Sequence, residues 1–451
     1  MRKWILRTSV LFFVAGLIVA VGFLMRSNAP QRVTLAEGTV LVCLGATYGT
    51  NHVLPGFSRL GRLLPQPLRS WLGFDRPTQS FRSEQPLLTV WLRDDPVAAS
   101  NRVSRLGMVA LLADEDGVVA GEETWRTLWP ARQGGGGTFN LQFRPLPGHS
   151  RRITLQLYEH GSGGDRTLLG EMTLPNPGFV EAREWEAEPL PAVRTNGALS
   201  CRLEQLVAGV GHRAGFRTTD SGVRLDTAAA NTGERPRAAG LFRFTEDGAA
   251  STNWLVGTVR LADATGNDLP CGSSSYQCRG DLVVHRFGSI LWPGQVWDLT
   301  VWAKRKTTAP FTDTELIVLE DIAVPALGET NRLDRAFQAQ GLEVRVEHLV
   351  HRPPPSPGGY SMEDLTHLRV ELSELPEEMF FELAELRDDQ GRALRESGWS
   401  RTHGKPSVTT FAFEQVPAGA KTVTARLVLQ KGRRFDFRVR PEVLERQGTG
   451  E

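Results

Sequence analysis

Three carboxylates in a row, Asp114, Glu115 and Asp116, sit in the stretch LLADEDGVVAG with Gly117 behind them. Such a cluster could hold a cation, act as an acid/base pair, or close a turn between two strands. An EF-hand calcium loop needs a ligand at regular spacing and a Glu at its twelfth position, and that pattern is lacking. His52 is a second candidate, preceded by Tyr48, Thr50 and Asn51, since an imidazole among hydroxyls can move protons. No G-x-S-x-G nucleophile elbow accompanies it, so these read as polar loop residues that satisfy one another. His348 and His351 are three apart in EHLVHRP, a spacing for a helix face. The stretch reads as a strand, where those side chains point to opposite faces, and no shared metal is expected. The glycine runs RQGGGGTF (132–139) and GSGGD (161–165) lack the strand-before, helix-after setting of a phosphate cradle. No catalytic residue, metal or cofactor is expected.

Two further residue sets point to structure or binding. Cys271 and Cys278 bracket CGSSSYQC, a short loop that could close as a disulfide in an exported chain. Cys43 and Cys201 lie in apolar runs and read as buried thiols. Eleven tryptophans raise a carbohydrate-binding reading, because indoles offer flat apolar faces to sugar rings. Trp292, Trp297 and Trp302 cluster, and Trp297 and Trp302 differ in strand parity, so at least one is expected to face outward.

The elements that would position these residues repeat three times. GMVALLADEDGVVAGEETW (107–125) is echoed by GTVRLADATGNDLP (257–270) and FFELAELRDDQGRALRESGW (380–399). Each is an alternating apolar strand ending in an acidic turn with a glycine (Gly117, Gly266, Gly391), the residues a hairpin turn needs. In every unit a Pro/Gly turn and a period-2 strand come later. A strand closed by proline ends each: GEMTLPNP, EDIAVPAL and FDFRVRPE. The units run 33–177, 198–326 and 341–443. Such a count of short strands resembles immunoglobulin-like β-sandwiches at fold level, although the Cys–Trp–Cys core pattern of antibody domains is absent. The expected fold is therefore all-β, three tandem sandwiches behind an N-terminal transmembrane helix. The joint 178–197 is acidic and proline-bearing, and 327–340 reads as a short helical linker with Leu333 and Phe337 at helical spacing. The tail 444–451 reads as disordered.

The units differ in the segment after their first strand. Residues 51–86 of the first form an insertion with a basic excess, where Phe57, Arg59, Arg62, Arg69 and Trp71 could touch lipid headgroups or a partner or fold back on their own sandwich. The second carries 217–240, read as a mobile loop, and the third the proline-rich HRPPPSPGGY (351–360).

Residues 8–25 run 18 positions without a charge behind Arg2, Lys3 and Arg7, nearly enough for a helix to span a bilayer. The positive flank predicts an uncleaved signal anchor, residues 1–30, with a cytoplasmic N-terminus and the rest of the chain extracytoplasmic. Lys plus Arg (52) nearly balances Asp plus Glu (51), so no general field favours nucleic acid. The reading is a single-pass envelope protein whose repeats scaffold or bind another macromolecule, a protein partner first and a glycan second.

Overall fold

The computed structural model describes residues 31–444 apart from 35–39, 55–78, 96–107, 116–118, 130–137, 144–147, 149, 161–165, 221, 231–236, 272, 289, 293, 354–364, 403–404, 414–415 and 418. The expected membrane-spanning run and Phe57, Arg59, Arg62, Arg69 and Trp71 lie outside the described residues. Everything described is strand or irregular backbone packed as several sheets, an all-β architecture compatible with β-sandwiches.

The first sheet holds β1 (Arg32–Thr34), β2 (Val40–Val53), β3 (Ser80–Asp95), β4 (Met108–Ala113), β5 (Val119–Trp129), β6 (Thr138–Phe143), β7 (Arg152–His160) and β8 (Arg166–Pro175). Its order is β1-β2-β3-β6-β5-β4-β7-β8, antiparallel throughout, with β5 joining two halves that fold over one core. Alternation explains the strands: Ile153, Leu155 and Leu157 of β7 are buried while Arg152 is exposed.

The middle of the chain supplies β9 (Ala192–Asn196), β10 (Leu199–Thr219), β11 (Gly222–Ala229), β12 (Arg237–Glu246), β13 (Ala249–Ala250), β14 (Trp254–Asp263), β15 (Asp268–Cys271), β16 (Ser273–Arg279), β17 (Leu282–Phe287) and β18 (Trp297–Arg305). The remainder supplies β19 (Leu316–Ala323), β20 (Thr330–Ala339), β21 (Leu342–Val350), β22 (Thr366–Leu372), β23 (Met379–Asp388), β24 (Glu396–Thr402), β25 (Ser407–Phe413), β26 (Thr422–Lys431), β27 (Arg433–Val439) and β28 (Glu442–Val443).

The expected tandem order is corrected by the strand pairing. In the first unit the sheet edge runs β4-β7-β8. The second has β14-β18-β27 in the same places, and the third has β23-β26-β19. The proline-closed strand expected to end the second unit, β19, therefore pairs with β26 of the third. The strand expected to end the third, β27, pairs with β18 of the second. Phe435, Phe437 and Val439 of β27 enter the second core, and Ile317, Leu319 and Ile322 of β19 enter the third. The two sandwiches exchange their last strands. The repeat motif was visible because each such strand carries the same alternation. That alternation carries no information on which sheet a strand joins.

No helix is present among the described residues, and none there is long and apolar enough to cross a membrane. The linker expected to be helical at 327–340 is strand β20, antiparallel to β21. Leu333 and Phe337 do share a face, packed on the third core. A separation of four residues fits a strand face as well as a helix face. The segment 217–240 is not a simple loop either. β10 extends to Thr219 and hairpins into β11, laying Phe216, Val223 and Leu225 over Leu241, Leu282 and Val284.

Candidate functional site

The exchange makes the chain cross twice between the second and third sandwiches, from Arg305 to Leu316 and from Lys431 to Arg433. The crossings are tied together. The Arg305 N–H donates to Gln430 Oε1 (2.9 Å), and Gln430 Nε2 donates back to the Arg305 carbonyl (3.0 Å). Gln430 is buried, so both halves of its amide are satisfied where leaving either unmet would be costly. The Gly432 N–H donates to the Glu378 carbonyl (2.7 Å). A Cβ on Gly432 would lie 2.7 Å from Phe380, and one on Gly257 of β14 would lie 2.5 Å from the same ring. Two glycines thus make room for Phe380 to seat the third sandwich on the second.

Side chains converge on Glu382 at this seam. Phe380 and Glu382 are two apart on β23 and share its face toward the second sandwich. Lys304 of β18 lies over the Phe380 ring (5.6 Å) and forms an ion pair with Glu382 Oε1. Glu382 Oε2 is enclosed and has no hydrogen-bond partner. The negative charge of Glu382 is felt from both sides. Partial burial raises the Tyr276 phenol, and the charges of Cys278 and Glu382 add to it. Desolvation likewise raises Glu396, with Glu382 second. Arg401 is lowered by burial, Glu382 opposing. Arg401 donates to the Phe381 carbonyl (2.7 Å) and lies against the Trp399 ring (5.5 Å). Two aromatics stand at the rim with unusual exposure for their size, Tyr276 at 51% and Trp399 at 60%. Tyr276 belongs to the second sandwich and Trp399 to the third.

Behind Tyr276 and in register with it is His285. It is fully enclosed, and neither ring nitrogen has a hydrogen-bond partner. Desolvation, helped by the Lys304 charge, pushes its pKa down to about 3, so it is neutral at physiological pH.

The residues singled out by sequence are placed elsewhere. Trp292, Trp297 and Trp302 do not form an exposed surface, for all three are buried. Trp292 sits in the core of the first sandwich, where a Cβ on Gly148 would lie 2.5 Å from its Nε1. Trp297 Nε1 donates to the Trp292 carbonyl (3.0 Å), and Trp302 lies under Arg434 (5.9 Å). Parity does separate Trp297 from Trp302, but Arg434 lies over Trp302 on the outward face of β18 and Trp302 is buried there. The expected disulfide is also corrected: Cys271 and Cys278 are free thiols. The first is buried on β15 in one sheet and the second exposed on β16 in the other, because CGSSSYQC is the passage between sheets and not a loop. Cys43 and Cys201 are buried thiols, with Cys43 pushed up to about 11 by desolvation.

The acidic turns behave as hairpin turns. Asp263 Oδ1 accepts from Thr265 N (2.9 Å) and Asn267 N (3.2 Å), and Asp388 Oδ1 from Gln390 N (3.0 Å) and Arg392 N (2.8 Å). Gly266 and Gly391 then take φ of 91° and 77°, the left-handed residue of a three-residue hairpin loop. Glu115 accepts from Arg152 N (2.8 Å). Asp116 and Gly117 lie outside the described residues. No group of three or more metal-type ligands is gathered among the described residues. His52 does meet hydroxyls, Thr47 Oγ1 at 3.0 Å from Nδ1 and Ser83 Oγ at 3.5 Å from Nε2, with Phe81 stacked on its ring at 4.6 Å. Its partners are thus mostly residues other than those expected. His351 Nδ1 is bonded to the Pro325 carbonyl, and His348 contacts His367.

The seam residues escaped sequence reading because the strand exchange brings them together. One signal was present: Trp399 lies in ESGWSRT, a strand with no apolar alternate to bury. No family model, curated protein or solved structure matches this chain.

Proposed function

We propose that the chain is a non-catalytic binding module for another macromolecule, and that the seam between the second and third sandwiches holds a glycan. One observation carries this reading: Tyr276 and Trp399 are exposed on different sandwiches, and the charge of Glu382 reaches both Tyr276 and the Arg401 that lies against Trp399. Aromatic faces supply apolar contact for a sugar ring, and carboxylates and guanidinium supply directional bonds to its hydroxyls. Glu382, paired with Lys304, anchors the cluster beneath; Arg401 and the Tyr276 hydroxyl donate. Sites of this kind favour domain boundaries. The uncharged run at 8–25 supports attachment to a membrane with the sandwiches on the extracytoplasmic side.

A glycan array probed with the full chain tests this directly. At least one glycan class should be retained, and Trp399→Ala and Tyr276→Ala should each weaken it about fivefold to tenfold. Full binding by the double variant would overturn the placement, and an array with no retained glycan would overturn the ligand class.

A further inference from the structure

Away from the seam, the third sandwich carries a shallow cleft of about 310 Å³ lined by Arg332, Asp334, Glu347, His348 and Arg369. Strand register builds it. Arg332 of β20 is paired with His348 of β21, and His348 with Arg369 of β22. The three residues therefore form one row across three strands, about 4.8 Å from one strand to the next. A bulge interrupts β20 between Arg332 and Arg335, where Asp334 has φ of 41°, and another interrupts β21 between Val346 and His348. Bulges redirect side chains, which is how Glu347 and His348, neighbours in sequence, come to line the same hollow.

The charges in the cleft balance when His348 is neutral: Arg332 and Arg369 against Glu347 and Asp334. Arg369 Nε is engaged by Glu347, which orients the guanidinium. Arg332 makes no ion pair with any described residue. His367 stands edge-on to His348 at 6.0 Å. Partial burial keeps His348 below the ordinary imidazole range; Glu347 opposes this, and His367, Arg369 and Arg332 reinforce it.

We propose that this cleft is a site for a single phosphate or sulfate group, held between the Arg332 and Arg369 guanidinium groups above His348. Guanidinium forks match oxyanion geometry, and two converging forks suit one such group. Glu347 and Asp334, which line the same cleft, repel further negative charge, which excludes extended polyanions. A bound anion offsets the positive charge that protonating His348 adds to the otherwise balanced cleft, so the proton and the anion bind cooperatively. Affinity therefore rises as pH falls toward the titration of free His348 and is lost as pH rises through the bound-state midpoint.

The test uses the full chain with ¹³C-labelled histidine, the His348 signal being assigned with His348→Gln. Sulfate at constant ionic strength should raise the His348 midpoint, and sulfate should bind about tenfold tighter near pH 5 than near pH 7.5. Arg332→Ala should abolish the shift while leaving the other histidine signals in place, which shows that the fold persists. An equal shift with chloride, or a shift that survives Arg332→Ala, would overturn the site. Inorganic sulfate and a monosaccharide sulfate are compared in parallel. Tighter binding of the ester identifies a sulfated sugar as the natural source, and equal binding identifies the free ion. The seam variants Tyr276→Ala and Trp399→Ala leave this readout unchanged, so the two sites fail or stand separately.

Discussion

His285 shows how one residue ties stability to pH. Its imidazole is enclosed with no partner for either nitrogen, and its pKa is about 3 in the fold. In the unfolded chain a histidine titrates near 6.5. Between those values the unfolded state binds a proton that the native state does not, so stability falls as pH drops from about 6.5 toward about 3. The linked loss reaches roughly 4–5 kcal/mol at the lower end. Replacing His285 with Leu should remove two unmet polar atoms and raise stability by about 1 kcal/mol at neutral pH. Urea unfolding between pH 7 and pH 4 should then show a flatter acid limb; an unchanged limb would rule His285 out as its cause. Gly257 makes a complementary case. With a Cβ placed 2.5 Å from the Phe380 ring, Gly257→Ala should cost about 1–3 kcal/mol and weaken glycan binding by displacing Glu382. At this scale the turn aspartates Asp263 and Asp388 were legible, since their hydrogen bonds are local in sequence. His285 was not: its enclosure depends on strands far away in the chain.

The elements divide in the same way. Alternation announced the strands that recur in each unit, such as β7, β18 and β26, but not their neighbours, and it passed over β11, β20 and β24. Leu333 and Phe337 satisfied a helix and a strand equally, and β20 was misread for that reason. The exchange of β19 and β27 lay outside local pattern altogether, because both strands are alternating and both are followed by a proline, Pro325 and Pro441. Its consequence is measurable. Deleting residues 433–451 removes Phe435, Phe437 and Val439 from the second core, each worth about 2–3 kcal/mol for a large buried side chain. Hydrogen exchange should then collapse in β14 and β18 while β22, β23 and β26 stay protected; the reverse pattern would contradict the pairing. Trp292 fastens the other joint. Trp292→Ala should cost about 3–5 kcal/mol by leaving a cavity in the first core, read as a lower midpoint in thermal unfolding.

In the whole molecule, the joints are as built as the sandwiches. The acidic stretch after β8 lies along β27: Glu188 accepts from Arg438 N (2.7 Å), Arg440 pairs with Glu184 at 2.5 Å, and Arg438 lies over Trp185 at 4.6 Å. β27 thus touches the linker from the first sandwich, completes the second, and returns from the third. The seam that gathers Tyr276, Glu382 and Trp399 exists because the chain crosses there twice, so the exchange is the claim on which the rest depends. Thr300 and Asp436 are facing partners on β18 and β27, outward on the surface, with Oγ1 to Oδ1 at 2.6 Å. Arg426 is an outward residue of β26, the strand that β27 would join in a simple tandem array. In a Cys278→Ser background, the most direct measurement is the oxidative cross-linking yield of two double variants. The exchange predicts that Thr300→Cys with Asp436→Cys closes readily and that Arg426→Cys with Asp436→Cys does not. Closure of the second pair in place of the first would contradict it.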